Sequence, residues 1–298
     1  MNFPELKINE EKCIKCGMCV KDCIVHCLEQ NEETKIPQFV KDKEYNCIKC
    51  QHCLAICPTG ALSIWGKNPD DSLNLNEINI NSDEILNLIK SRRSVRMYKP
   101  ENLDNERMNK LKNMLKYTPT GVNFHNLHFS FVDDIEVMDK IRNMTNTRAV
   151  KLLSNSLVQK MFPHFRGMAD AIQNGHDVIF RGAPHMVVVS VPLNAPCRRE
   201  DPIIALSYFD MYAQSMGVGT VWCGFAYYFF KIFPELCDYV EIPDGYRVSY
   251  VMLFGQPDVK YSRSTQPEEQ NIKSVPLKNI VRPMSVFDKI KRVITNLI

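Results

Sequence analysis

Two copies of one cysteine run constrain this chain more than any other feature. Cys13-x2-Cys16-x2-Cys19-x3-Cys23 returns 34 residues later as Cys47-x2-Cys50-x2-Cys53-x3-Cys57, followed by Pro58. Nine of the twelve cysteines lie between Cys13 and Cys57, and only Cys197, Cys223 and Cys237 lie beyond. Cysteines gathered at such short spacings point to metal rather than disulfides. Zinc and iron–sulfur clusters compete for thiolate-rich sites, and geometry separates them. Zinc takes four ligands, usually two CxxC pairs across a loop. Here eight thiols come as two runs of four. Three cysteines at x2 spacing wrap one corner of a cubane, and the fourth ligand has to come from elsewhere. The spacing favours two [4Fe–4S] clusters over zinc.

Residues 58–64 (PTGALSI) follow the second run, and the whole N-terminal stretch resembles bacterial-type ferredoxins. In two-cluster ferredoxins the fourth cysteine of each run serves the other cluster. The resemblance therefore implies Cys13, Cys16, Cys19 and Cys57 on cluster I, and Cys47, Cys50, Cys53 and Cys23 on cluster II. The sequence departs from that pattern once. Ile24, not proline, follows Cys23, and Cys27 comes at a further x3 spacing beside His26. Cys27 is either a buried thiol or a replacement for Cys23 on cluster II.

The chain divides into three zones: a ferredoxin-like domain over 1–66, a polar linker over 67–81 (KNPDDSLNLNEININ), and a larger α/β domain over 82–298 with a C-terminal extension. Ser82, followed by Asp83 and Glu84, reads as a helix start, and Ile85, Leu86, Leu88 and Ile89 continue at helical spacing. A second helix is predicted over 104–117, with Leu103, Met108, Leu111, Met114 and Leu115 on one face. Strands are predicted at 129–132, 185–191 and 248–254. Residues 203–216 read as a mostly apolar, buried helix ending at Gly217. The tail, 285–298, has the spacing of a surface helix. Residues 137–180 read either as a plain surface helix pair with an ordinary apolar face or as a pocket wall with Phe162, His164, Phe165 and Arg166 as candidate residues.

The 298 residues are 45% hydrophobic and 24% charged, as in an ordinary globular protein. A net charge of +3 gives no reason to expect nucleic acid as a partner. No apolar stretch approaches the roughly 20 residues needed to span a bilayer, and the N-terminus has no apolar signal core. A cytoplasmic protein without membrane attachment is expected.

No G-x-G-x-x-G follows a strand, so a Rossmann site is unsupported. Ser91-Arg92-Arg93-Ser94-Val95-Arg96 instead offers three arginines and two hydroxyls, which can hold a phosphate by charge-assisted bonds. Alone, such a run is more often a solvated basic face. Its companions are Thr118-Pro119-Thr120-Gly121-Val122-Asn123-Phe124-His125, Gly217-Val218-Gly219-Thr220-Val221-Trp222-Cys223-Gly224, Gly255-Gln256-Pro257 and Tyr261-Ser262-Arg263. In this order they resemble the nitroreductase-like FMN-dependent oxidoreductase family.

The resemblance implies an α+β fold, a mixed sheet flanked by helices, in a homodimer with FMN at the interface, and a substrate lid over 137–180. Arg92 and Ser94 would hold the FMN phosphate, with Arg263 as a further cation. Arg93 would lie along the ribityl–phosphate region and Arg96 at the N1/O2 edge, where reduced flavin carries negative charge. Pro119, Thr120, Gly121, Asn123 and His125 would come from the second subunit, and the turn of Trp222, Cys223 and Gly224 would bring backbone N–H groups to the N5/O4 edge. His125 stands where glutamine is usual, Gly121 where a small polar residue is common, and Asn126-Leu127 replaces a frequent Pro-Trp. His125 is the candidate catalytic residue, either as proton donor or as flavin hydrogen-bond partner.

The combination implies an iron–sulfur flavoprotein oxidoreductase. Reduced ferredoxin or NAD(P)H would supply electrons, the two clusters would relay them to FMN, and a small organic acceptor would take them, by default a nitro compound or quinone. A dedicated reductase of an enone or halogenated aromatic, and a non-enzymatic electron carrier, are the alternatives.

Overall fold

In the computed structural model, residues 5–165, 167–277 and 284–297 are described. The chain forms two compact units, one running to Arg263 and one over Ser264–Ile298.

The first unit opens with a small module of four short strands and two single-turn helices. Strand β1 (Leu6–Ile8) pairs antiparallel with β4 (Leu62–Ile64), and β2 (Leu28–Gln30) with β3 (Pro37–Phe39). Helices α1 (Met18–Lys21) and α2 (His52–Ala55) each follow a cysteine run's first turn. Its core is thin, built on Cys19, Cys27, Leu28, Cys53, Leu54, Leu62 and Ile64. So few apolar residues hold a fold only with a further staple, here the metal that the cysteines would bind.

Residues 67–81 form two isolated 3-10 turns, Pro69–Asp71 and Leu75–Glu77, each capped by an asparagine side chain. Helix α3 (Ser82–Ser91) follows. Its N-cap is Asn81, whose Oδ1 accepts from Asp83 N at 2.9 Å, so Ser82 is the first helical residue rather than the cap. Helix α4 (Asn105–Met114) is capped by Asp104 and runs into a 3-10 turn, Leu115–Tyr117.

A four-stranded sheet organises the rest. Strands β5 (His128–Val132), β6 (His185–Pro192), β7 (Gly219–Trp222) and β8 (Tyr246–Gly255) stand in the order β5-β6-β8-β7, all antiparallel. Parallel pairing enters at the β7 edge, where Ser94 bridges Thr220. Strand β6 is buried on both faces, so alternate residues feed two cores. Met186 and Val188 face one core, with Met138 and Ile141 of α5 (Ile135–Leu153) and Ala226 and Phe229 of α9 (Gly224–Ile232). Val187 and Val189 face the other, with Leu111 of α4 and Leu206, Phe209 and Ala213 of α8 (Glu200–Ser215). Helix α8 ends through Gly217 at φ 70°, with Val218 N donating back to Ala213 O.

The expected lid region holds all but the first two residues of α5, then α6 (Ser156–Met161), a 3-10 turn (Pro163–Phe165) and α7 (Met168–Gln173). A short α10 (Glu235–Tyr239) follows α9. The second unit carries α11 (Val286–Leu297), whose Val286, Phe287, Ile290, Val293 and Ile294 are exposed. Among the described residues no helix is long and apolar enough to cross a membrane.

His185, fully buried at the start of β6, accepts from Leu103 N through Nε2 at 3.0 Å. Burial pushes its pKa down to about 4, from an ordinary value near 6.5. The unfolded chain therefore binds the proton first. The ring's stabilisation is complete above about pH 6.5 and is lost towards pH 4, at about 1.4 kcal/mol per pH unit. His185→Phe should flatten that acid limb and, by orphaning Leu103 N–H, cost about 1–3 kcal/mol at pH 7.5. Urea unfolding at pH 5 and 7.5 reads both effects.

Candidate active site

The two cysteine runs fold alike. Lys15 and Gly17 in the first, and Lys49 and Gln51 in the second, take left-handed backbone, which turns the chain between successive cysteines. Gly17, at φ 69°, suits that left-handed backbone, and a Cβ there would displace the Gln30 carboxamide, whose Oε1 would lie 2.7 Å away. Its counterpart, Gln51, is exposed.

Two cavities result. Cys13, Cys16, Cys19 and Cys57 line one. Cys23, Cys47, Cys50 and Cys53 line the other, together with Cys27. The fourth cysteine of each run thus lines the cavity of the other run. Among the described residues no three of His, Cys, Asp or Glu gather tightly enough to hold a single metal ion. Trp65 Nε1 donates to Cys47 Sγ at 3.4 Å, and Ala61 N to Cys57 Sγ at 3.2 Å. Cys27 is 2% exposed, with its sulfur 3.5 Å from Cys23 Sγ. Burial pushes the Cys53 thiol up to about 12, and burial followed by the Cys23 hydrogen bond does the same to Cys27. Thiolates persist at that depth when a metal compensates their charge, so this donor set fits a resident cluster.

The arginine run leaves α3 at Arg92, whose N–H donates to Leu88 O at 3.0 Å. Val95 N then donates to Thr220 O at 2.8 Å, laying residues 94 and 95 along β7. The approach is close: a Cβ on Gly219 would meet Val95 Cγ2 at 2.7 Å and Pro257 Cγ at 2.9 Å. Beneath this edge lies Asp210 of α8, 5% exposed. Its carboxylate accepts from Thr220 Oγ1, accepts from Trp222 Nε1 at 3.2 Å and stands 3.6 Å from Arg92 Nη1. Arg93 Nη1 donates to Arg92 O, while Arg93 Nη2 is buried without a partner. A cationic donor buried and unsatisfied is suited to an anion. Arg96 is exposed, with Nη1 donating to Ser94 O at 3.3 Å. Tyr261 OH also donates to Ser94 O, at 3.5 Å, and brings the chain just before Arg263 to this edge. Cys223 is buried and caps α9, accepting from Ala226 N and donating to Ile179 O. Burial pushes its thiol up to about 11, so it is structural rather than nucleophilic. Gly224 opens α9.

Residues 118–125 are held elsewhere in the chain. Gly121 N donates to Asp201 Oδ1 at 3.0 Å, in the first turn of α8, and a Cβ on Gly121 would meet Cys197 Cβ at 2.9 Å. Val122, Asn123 and His125 all have positive φ, at 49°, 56° and 48°. For a β-branched residue such as Val122 this is a strained conformation. Thr120 Oγ1 accepts from His125 N at 2.9 Å, and His125 Nε2 is 2.8 Å from Asn123 Oδ1. Asn123 Nδ2 donates to Ile48 O, inside the second cysteine run, at 3.0 Å. Pro119 is exposed beside this loop. An open cleft lined by Gln51, Lys116, Thr120, His125, Leu127 and Phe129 lies alongside.

The model of the Nitroreductase family matches residues 89–256, more than half of the chain. The chain belongs to the nitroreductase family. Residues 12–69 match a 4Fe-4S dicluster domain. The nitroreductase domain has the fold of a nitroreductase with bound FMN from Desulfitobacterium hafniense DCB-2, at 21% identity and a TM-score of 0.54, over 66% of this chain and 100% of that one. It likewise matches a nitroreductase with bound FMN from Bacteroides fragilis NCTC 9343, at 19% identity and a TM-score of 0.52, over 66% of this chain and all of the other. The dicluster domain is 35% identical to Ferredoxin-3 of Nostoc sp. strain PCC 7120 over 65 residues, 17% of this chain and 67% of that protein. It is also 32% identical to an archaeal-type glutamate synthase [NADPH] of Dehalococcoides mccartyi, over 18% of this chain and 10% of that enzyme's length.

In this member of the family, Phe165 packs against Phe162 and against Phe225 on α9, joining the domain's core. Arg166 and the side chain of His164 lie outside the described residues. Four positions that organise the site escape a reading of motifs: Asp201, Asp210, Cys197 and Ile48. Asp210 carried a signal, because a lone acid in the apolar run 203–216 has to find a partner if the helix is buried. Asp210→Ala should strip Arg92, Thr220 and Trp222 of their common acceptor and cost about 2–3 kcal/mol, measured by chemical denaturation, with a red shift of Trp222 emission.

Proposed function

We propose that the chain is an iron–sulfur flavoprotein oxidoreductase that carries FMN on its arginine run and passes electrons to a small organic acceptor. The observation that carries this reading is the anion site built over Asp210. Arg92 is fixed by the buried carboxylate, Ser94 is laid along β7, and Arg93 offers a buried donor without a partner among the described residues. A phosphate would meet that donor with charge-assisted bonds. Arg92 and Ser94 hold the phosphate in this reading, Arg263 adds charge, Arg93 runs along the ribityl–phosphate region with its buried donor towards the phosphate, and Arg96 faces the N1/O2 edge. Within the turn Trp222–Gly224 the Cys223 N–H is held by Val251 O at 2.9 Å, so the backbone N–H groups of Trp222 and Gly224 serve the N5/O4 edge.

FMN, when bound, accepts single electrons and delivers a pair, which suits it to stand between clusters and an organic acceptor. On the cluster side, Cys13, Cys16, Cys19 and Cys57 hold cluster I, and Cys47, Cys50, Cys53 and Cys23 hold cluster II. Cys27 stays a thiol that hydrogen-bonds to Cys23, which is the counterpart of Cys57 in the repeat. The division is 1–66 for this module, 67–81 for the linker and 82–298 for the flavin domain with its extension.

The flavin site is completed in a homodimer, where Pro119, Thr120, Gly121, Asn123 and His125 come from the second subunit. The exposed apolar faces of two neighbouring helices support the dimer: Ile85, Leu86 and Ile89 on α3, and Ile203, Tyr208 and Tyr212 on α8. His125 acts by position. Its Nε2–H is given to Asn123 Oδ1, so any proton passed to substrate would have to leave from Nδ1.

A nitro compound or quinone is the acceptor class, reduced ferredoxin or NAD(P)H the donor, and the cytoplasm the setting. The test is an anaerobic screen of acceptors on cluster-replete protein, with each donor in turn. Turnover of a small organic acceptor is expected; protein that releases no FMN on denaturation would sink the reading. Arg92→Ala should weaken FMN binding about 10- to 100-fold, the loss of one charge-assisted contact. Iron should stay at about eight per chain, by flavin titration and iron analysis.

A further inference from the structure

We propose that cluster II is the cluster from which electrons leave the ferredoxin module. They leave through the Cys47–Cys50 loop into residues 120–125 and reach the FMN whose phosphate is held by the partner subunit's Arg92. The inference rests on the FMN reading above.

The exit is set by one side chain. Ile48 lies between two ligands of cluster II, and its carbonyl accepts from Asn123 Nδ2 at 3.0 Å. The other end of the same carboxamide, Oδ1, accepts from His125 Nε2–H at 2.8 Å. Asn123 therefore joins the cluster II loop to the His125 imidazole by two consecutive hydrogen bonds. Gln51, next to the ligand Cys50, faces the same cleft as Thr118, Thr120 and His125. The walls of the cavity of cluster I are Ile8, Pro37 and the first cysteine run with Cys57, Thr59, Ala61 and Leu62. Like the cavity of cluster II it has no flavin-domain residue in its lining, and what distinguishes cluster II is the bond from Asn123 to its loop. Around it Ile14 and Met18 are 62% and 41% exposed, and Cys16 and Lys15 are exposed as well. Ile24, beside cluster II, is also 76% exposed, so exposure alone does not separate the two. Cluster II is the one whose loop is tied to the flavin domain, and a donor protein docks at cluster I.

Helix α8 fixes which flavin is served. The loop 118–125 is tied to Asp201, and the arginine run to Asp210, nine residues further on. At 1.5 Å per residue the two anchors are about 13.5 Å apart along the axis. The loop that meets cluster II and the arginines that hold phosphate are thus at different levels of one helix. A flavin held on one subunit's arginines and covered by the other subunit's loop receives electrons from the cluster II beside that loop.

The step balances. One electron leaves reduced cluster II, which returns from the 1+ to the 2+ state, and enters the flavin. Two such transfers with two protons from solvent convert FMN to FMNH2, and two equivalents of a low-potential one-electron donor are oxidised.

A mixed dimer tests the route. One subunit carries Cys50→Ser and keeps its arginines. The other carries Arg92→Ala with Asp210→Ala and keeps both clusters. The dimer is isolated by two affinity tags, and pre-reduced bacterial-type ferredoxin is mixed in anaerobically while flavin absorbance is followed. Bleaching of the retained FMN within about threefold of the wild-type rate is expected. Bleaching slowed 100-fold or more, while dithionite still reduces the same FMN directly, overturns the inference and leaves the FMN reading standing. Absence of bound FMN from both wild-type and mixed dimers overturns both. Cys50→Ser could unfold so small a module, so Asn123→Leu is measured in parallel on the homodimer. Because Asn123 also belongs to the flavin site, flavin content is measured and the rate is taken per bound FMN. Ferredoxin-driven bleaching at least tenfold slower, with dithionite reduction of that FMN as in wild type, is expected. An unchanged bleaching rate in Asn123→Leu overturns the exit through Asn123.

Discussion

One buried carboxylate organises this molecule's flavin domain. Asp210 sits in the apolar middle of α8, where an unpaired charge would be costly. It is satisfied by three groups from two other elements: Arg92 at the end of α3, and Thr220 and Trp222 on β7. The first residues of the anion site, the strand edge they lie on and the aromatic turn beyond it are therefore positioned by one side chain. Arg93 is left with a buried, unsatisfied donor as a result, because Arg92 and Ser94 are already committed to the scaffold. The same carboxylate that builds the site also lowers its net charge, so the site suits an anion without presenting three uncompensated guanidiniums.

The second half of the site follows another rule. Residues 118–125 hold three non-glycine positions at positive φ, one of them β-branched. Such backbone persists only when its surroundings over-determine it. Here they do: Asp201 fixes the loop's start, Cys197 fills the space a side chain at 121 would need, Thr120 caps His125, and Asn123 is bound at both ends. The departures from the family pattern at Gly121 and His125 have local reasons. Cys197 excludes a Cβ at 121, and His125 supplies the N–H that orients Asn123.

Much of this was legible in the sequence, and what was legible was local or periodic. The cysteine spacing announced two groups of thiols; one cavity is lined by four cysteines and the other by five, Cys27 lying beside Cys23. The strand at 185–191 and the apolar face of the helix over 104–117 were legible as patterns; that Val187 and Val188 feed two different cores was not. The cap at Asn81 was missed by one residue, since Asn81 and Ser82 are both good caps and the choice is made by geometry. Asp201, Asp210 and Ile48 were not legible as site residues. Each acts through a contact across the fold: Asp201 on Gly121, Asp210 on Arg92, Ile48 on Asn123. No spacing records which acid in a helix will face which distant arginine. The arginine run alone reads as a solvated basic face, and it is the buried acid beneath it that changes its meaning.

Helix α8 links the two modules. Its first turn holds the loop on which the second cysteine run rests, and its third holds the anchor of the arginine run. An electron route and a cofactor site are thereby referred to one rigid element, whose length fixes their offset. A flexible tether between a ferredoxin module and a flavin domain would leave transfer to chance encounters. Docking the Cys47–Cys50 loop on a strained, over-determined segment removes that freedom at the point where electrons have to cross. The strain at Val122 is then intelligible. The loop is held out of the common backbone wells so that one asparagine can reach a carbonyl of the cluster loop with one end and an imidazole with the other.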